Sequence, residues 1–255
     1  MKKKSYFAGV YLMIIVVLAF VPIKKDITVY MIGDSTMSIK KPTAYPETGW
    51  GMEFPKYLKK GIIVKDYALN GRSTKSFRKD VDEKNNTIID HWQHILDGLK
   101  PGDYVIIEFG HNDEKVEKPL IGTNVDEFKN NLIRYILETQ SKHSIPILMT
   151  PIVRRTFIGD KLQDTHGKYA DAVRFLADSL HVDFVDMQKL SSDLVGNLGA
   201  QNSVKLFNHV DSGHVNYPTG KKDDTHLNPE GAYQIAGLAA EGIKKLNIPL
   251  SQFVK

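Results

Sequence analysis

The stretch that most limits the folds open to this chain is Tyr104-Val105-Ile106-Ile107-Glu108-Phe109, apolar at almost every position. A strand with one face in water alternates polar and apolar residues, so an unbroken apolar run belongs at the centre of a parallel sheet covered on both faces. Further runs of this kind occupy Ile27 to Ile32, Ile62 to Leu69, Ile145 to Met149 and Val182 to Met187. Between them lie stretches of helical spacing, Trp50 to Leu58, Asn86 to Leu99, Val125 to His143 and Lys168 to Leu180, and Asn70-Gly71-Arg72-Ser73 reads as a turn that also caps the next helical stretch. A last helix, capped by Asn228 with Pro229 at its first position, carries Ile235, Leu238, Ala239, Ile243 and Leu246 along one face. The alternation predicts one α/β domain: an open parallel sheet of about five strands with helices on both faces. From Ser191 to Lys222 Gly, Asn, Ser, His and Pro break the pattern, and a long functional loop is expected there.

The N-terminus has another character. Lys2, Lys3 and Lys4 precede an apolar stretch from Tyr6 to Val21, closed by Lys24 and Lys25. That is the pattern of a secretory signal and is short for a membrane span. Residues 1–23 are therefore read as a signal peptide or N-terminal hydrophobic segment, and 24–255 as the single domain, exported to the periplasm or outside the cell. An uncleaved anchor is the alternative. Cleavage after Ala19 removes three lysines and no acids, bringing the net charge from +4 to about +1. The basicity is thus mostly in the leader: it argues for no nucleic-acid partner, and no membrane contact is expected once the leader is gone. The chain has no cysteine, which excludes disulfides and a lipidated N-terminal cysteine.

Ligands of open parallel sheets gather at the carboxyl ends of the strands. Four polar motifs stand at such ends: Gly33-Asp34-Ser35, Asn70-Gly71-Arg72, Gly110-His111-Asn112-Asp113 and Asp223-Asp224-Thr225-His226. A serine hydroxyl attacks a carbonyl only if a histidine takes its proton, and that histidine needs a carboxylate on its other nitrogen. Ser35, His226 and Asp223 supply this set. The N–H groups of Ser35 and Gly71 and the side-chain amide of Asn112 are candidate donors to the oxyanion, and glycine at 71 leaves the backbone open to a ligand.

In these motifs the sequence resembles the SGNH, or GDSL, hydrolase family, whose four blocks carry Ser, Gly, Asn and His, matched here by Ser35, Gly71, Asn112 and His226. The finer wording is similar to the rhamnogalacturonan acetylesterase branch: Gly33-Asp34-Ser35-Thr36-Met37, Asn70-Gly71-Arg72-Ser73, Glu108-Phe109-Gly110-His111-Asn112-Asp113 and Asp223-Asp224-Thr225-His226-Leu227-Asn228. The resemblance spans Ile27 to Leu246. It implies a flavodoxin-like three-layer α/β/α fold, removal of acetyl groups from a pectic polysaccharide or its oligosaccharides, and no metal or other cofactor.

Arg72, Arg154 and Arg155 also fall near the expected pocket, and arginine binds carboxylates bidentately, so they are candidates for holding a galacturonate carboxylate. His111 is expected to be hydrogen-bonded within its loop, with His209 and His214 on the long loop. A dinuclear metal site is disfavoured because Gly-His-Asn-Asp has the wrong order for one and no Asp-x-His follows the first strand. An α/β-hydrolase is disfavoured because no Gly-x-Ser-x-Gly elbow occurs. The alternatives kept are another esterase of the same fold, such as a lysophospholipase, thioesterase or acetylxylan-type esterase, acetyl transfer to a sugar, and a carbohydrate-binding protein without catalysis.

Overall fold

In the computed structural model, which describes residues 27–82 and 84–255, the five apolar runs form one all-parallel sheet. The expected leader, residues 1–23, lies outside the described residues. In chain order the first half comprises β1 (Ile27–Gly33), α1 (Trp50–Glu53), β2 (Ile62–Asp66), β3 (Asp80–Asp82), β4 (Thr87–Ile89), α2 (His91–Gly98) and β5 (Tyr104–Glu108). The second comprises α3 (Val125–Ser141), β6 (Ile145–Met149), β7 (Phe157–Ile158), β8 (Lys161–Leu162), α4 (Lys168–Ser179), β9 (Asp183–Val185), α5 (Met187–Asn202) and α6 (Pro229–Lys244).

The sheet order is β2-β1-β5-β6-β9. Successive residues of a strand point to opposite faces, and the core divides accordingly. Val29, Met31, Ile106, Ile147 and Met149 face a layer made by α1, α5 and α6, while Tyr30, Ile32, Val105, Ile107 and Leu148 face α2, α3 and α4. The predicted three-layer α/β/α architecture is the one observed. From β1 the chain goes to one side to form β2, then returns on the other side of β1 as β5, with Gly33 opposite Glu108 in register. Strand order reverses at that point, so a crevice opens beyond the carboxyl ends of β1 and β5. Ser35 and Asn112 follow those two ends.

Short polar side chains set the helix starts. Asp90, Asn124, Asp186 and Asn228 each accept backbone N–H bonds in the first turn of α2, α3, α5 and α6. Three local expectations are corrected. The helix expected over Asn86 to Leu99 begins at His91, because Thr87-Ile88-Ile89 pairs with β3 and Asp90 caps the shortened helix. The turn at Asn70 to Ser73 caps no regular helix; residues 74 to 78 run as turns, with Phe77 N–H on the Ser73 carbonyl. The long loop from Ser191 is shorter than expected, since α5 continues to Asn202 across a break at Gly199, where φ is 71°. Met187, Ser191 and Val195 give α5 a buried side that outweighs its glycines.

Helix α6 packs through Ala232, Ala236, Ala239 and Ala240, whose small side chains let it come close to its neighbours. At Gly231 a Cβ would lie 1.9 Å from the Leu206 carbonyl oxygen, which is backbone. Gly231→Ala is therefore expected to destabilise the fold by about 1–3 kcal/mol, lowering Tm by roughly 3–10 °C in a thermal melt.

Candidate active site

After β1 the chain turns sharply because Asp34 Oδ1 accepts both the N–H and the hydroxyl of Thr36, each at 2.9 Å. This turn presents Ser35 at the crevice. Asp223 makes a second turn of the same kind: its Oδ1 accepts the N–H groups of Thr225 and His226, both at 2.9 Å. The other oxygen, Oδ2, is then left facing the His226 ring, with Nδ1 at 2.8 Å. His226 Nε2 lies 2.9 Å from Ser35 Oγ. The backbone around the histidine is held from three sides, by Asn208 N–H on the His226 carbonyl, Thr48 N–H on the Leu227 carbonyl and Asn228 N–H on the Leu206 carbonyl. Burial raises the Asp223 pKa, but the bonds from His226 and Thr225 outweigh it and hold the carboxyl well below the usual range. A charged carboxylate, an oriented imidazole and a hydroxyl are thus in line for proton transfer.

The predicted oxyanion donors lie on three loops, after β1, β2 and β5, and Asn112 reaches the loop of Gly71. Gly71 has φ +75° and an open side where a Cβ would point. Among the described residues, no bond within the chain takes up the N–H of Ser35 or Gly71. Asn112 Nδ2 donates to the Arg72 carbonyl at 3.0 Å, while Lys115 Nζ donates to Asn112 Oδ1 at 2.7 Å, which fixes the orientation of the amide. One Nδ2 proton remains for a ligand. Asp113 ties the same two loops together by accepting the Thr74 N–H at 3.1 Å and the Thr123 hydroxyl at 3.0 Å; burial pushes its pKa up to about 7. Behind the serine, Glu108 accepts Trp50 Nε1 at 2.7 Å, and burial together with the charge of Asp34 pushes it up to about 8.

The three arginines are all engaged within the chain. Arg72 pairs with Asp80 at 2.5 Å, Arg154 with Glu114 at 2.9 Å and Arg155 with Asp224 at 2.7 Å. Asp224 also meets His209 Nε2 at 2.8 Å, which pins the loop to the residue beside Asp223. The hydrogen bond expected for His111 within its loop is not made: the ring is buried, with Nδ1 3.3 Å from Asp34 Oδ2 and its plane edge-on to His166. His214 does lie on the loop, between Tyr45 and Tyr217.

Glu47, Asp223 and His226 present ligand-type atoms within 4.8 Å of one another. A lysine ammonium already bridges the two carboxylates, with Lys221 Nζ 3.2 Å from Glu47 and 3.0 Å from Asp223. Lys221, Glu47 and the buried Lys40 are site residues that the sequence reading missed. They come from chain positions far apart and belong to no local motif, so no signal in the sequence marks them.

The depressed Asp223 pKa has a stability consequence. Folding favours the charged form, so its contribution is present above the ordinary aspartate pKa and is lost as pH falls through that value and below. Asp223→Asn is expected to flatten the acid side of the stability-against-pH curve measured by urea unfolding between pH 2 and 6; an unchanged slope would contradict the assignment.

The profile of the GDSL-like Lipase/Acylhydrolase family matches residues 31–233. The chain is 35% identical over 230 residues to rhamnogalacturonan acetylesterase RhgT of Bacillus subtilis (strain 168), covering 89% of this chain and 94% of that protein. It is 29% identical over 227 residues to the probable rhamnogalacturonan acetylesterase YesY of the same organism, covering 89% and 96%. Among solved structures, protein YxiM of Bacillus subtilis superposes with TM-score 0.71 at 27% identity, over 88% of this chain and 58% of that one. A catalytic mutant of the Geobacillus stearothermophilus acetylxylan esterase Axe2 shares the fold, with TM-score 0.59 at 20% identity over 86% of this chain and 95% of that one. With a family match from strand β1 into helix α6 and a serine, imidazole and carboxylate in line at the switch point, this chain belongs to the GDSL-like lipase/acylhydrolase family and is a serine carboxylic ester hydrolase.

Proposed function

We propose that this protein is an exported acetylesterase that removes acetyl groups from rhamnogalacturonan, the acetylated backbone of pectin, through an acyl-enzyme on Ser35. The observation that carries the reading is the unbroken line Asp223–His226–Ser35, at 2.8 and 2.9 Å, in a chain 35% identical to a protein named for that activity. Export is supported by the lysine-led apolar N-terminus.

In this mechanism His226 Nε2 takes the Ser35 proton as Oγ attacks the acetyl carbonyl. The negative charge that develops on the carbonyl oxygen is met by the N–H groups of Ser35 and Gly71 and by Asn112 Nδ2. As the tetrahedral intermediate collapses, His226 returns the proton to the departing sugar oxygen and acetyl remains on Ser35. Water, deprotonated by His226, then releases acetate and restores the serine. Asp223 keeps the ring in the tautomer with its proton on Nδ1 and stabilises the imidazolium while it lasts.

Acetate release from acetylated, rhamnogalacturonan-rich pectin tests this reading, using protein that begins near Lys24 with and without a chelator. Wild type is expected to release acetate regardless of chelator, and Ser35→Ala to lose roughly 10⁴-fold or more in kcat. Activity confined to long acyl esters would overturn the reading in favour of a lipase-like enzyme. Asn112→Ala is expected to lower kcat by about 10²–10³, and Asp223→Asn by about 10⁴. Recognition of the galacturonate carboxylate is assigned to Arg154 and Arg155, where substrate would share the guanidinium with Glu114 or Asp224. Alanine at either is expected to raise KM on acidic polysaccharide but not on a neutral acetylated sugar; equal effects on both would remove the arginines from recognition.

A further inference from the structure

Lys40 lies in the loop between β1 and α1, and its side chain is only 2% exposed. A lysine is rarely buried so completely, because removing an ammonium from water is costly unless each of its protons finds an acceptor. Here all three do: the carbonyl oxygen of Ser35, Asn70 Oδ1 at 2.7 Å and Glu47 Oε1 at 2.9 Å. Two of these acceptors belong to the reaction site. The first is the backbone of the nucleophile itself, and the second is the residue before Gly71, whose amide is further fixed by the Ser38 hydroxyl at 2.6 Å.

The third acceptor leads back to the histidine. Glu47 Oε2 meets Lys221 Nζ at 3.2 Å, Lys221 meets Asp223 Oδ2 at 3.0 Å, and the same Asp223 oxygen meets His226 Nδ1 at 2.8 Å. His226 closes the circuit on Ser35 Oγ at 2.9 Å. Cations and carboxylates alternate around it, so no charge is left uncompensated. Two loops distant in sequence, residues 40 to 47 and 221 to 226, are thereby joined by ions beside the backbone bond from Thr48 N–H to the Leu227 carbonyl.

Resting on Ser35 as the nucleophile, we propose that Lys40 is a positioning residue: its ammonium fixes the Ser35 backbone and the Asn70–Gly71 turn together, and the Glu47–Lys221 pair ties that unit to Asp223. Lys40 touches neither substrate nor the reacting atoms. Its effect is to set the distance between the two backbone oxyanion donors and to hold them against the imidazole. Misplacement of such donors affects the transition state more than the ground state, so the signature is a fall in kcat with little change in KM.

The test compares wild type, Lys40→Met, Glu47→Gln, their double variant and Ser35→Ala on a small aryl acetate, reading kcat, KM and Tm. Lys40→Met is expected to lower kcat by about 100-fold or more with KM within about threefold, and the double variant to lose less than the product of the single effects, as members of one unit do. The chain has no cysteine, so Lys40→Cys can be alkylated with 2-bromoethylamine in urea and refolded beside wild type taken through the same cycle. The thioether ammonium so formed restores the lost charge, and recovery of kcat is expected with it. A Lys40→Met enzyme with kcat near wild type overturns the proposal, as does a thioether ammonium that restores Tm but not kcat. Should the Lys40 variants fail to fold, Glu47→Gln decides: a fall of about tenfold in kcat at unchanged Tm supports the circuit, and unchanged kcat overturns it. If Ser35→Ala is as active as wild type, the nucleophile itself is misassigned; if Ser35→Ala is inactive while Lys40→Met is unaffected, only the positioning role fails.

Discussion

The site depends on how one carboxylate divides its two oxygens. Asp223 Oδ1 accepts two backbone N–H groups and so makes the turn that carries His226 back over it, while Oδ2 orients the imidazole. A spacing of three residues suffices because the acid that aligns the histidine also folds the segment between them. The bonds that form the turn keep the carboxylate charged, which is the state in which it can stabilise an imidazolium. Removing that side chain would therefore disturb geometry and electrostatics together.

The parallel sheet supplies the other half. Gly33 and Glu108 are paired in register at the ends of β1 and β5, so the loops bearing Ser35 and Asn112 leave the sheet side by side at the point where strand order reverses. Buried acids stiffen this edge. Glu108 links Trp50 to the end of β5, and Asp113 links the Thr74 loop to the Asn112 loop. Burial raises both pKa values, which marks the site as one where the fold tolerates a cost in exchange for rigid placement.

Much of this is legible in the sequence because it is local. The apolar runs specify strands through period and length, Asn228-Pro229 specifies the start of α6, and Ser35, Gly71, Asn112, Asp223 and His226 each stand in a motif whose residue types suit one chemistry. Misreadings arise where local signals compete. Ile88 and Ile89 fit a helical face as well as a strand, and pairing with β3 decides between them. The glycines of α5 suggest a loop, and burial of Met187, Ser191 and Val195 overrides them.

The sequence by itself determined the layer architecture and the candidates for the reacting groups, since hydrophobic periodicity and short motifs are properties of neighbouring residues. Only the tertiary structure decided which charges meet. That Arg72, Arg154 and Arg155 are paired with Asp80, Glu114 and Asp224, that His111 stands against Asp34, and that Lys40, Glu47 and Lys221 close a circuit behind the serine are consequences of loops brought together by the sheet. Ion pairs act through space over a few ångströms and carry no period along the chain, so their partners are fixed only once the backbone has been placed.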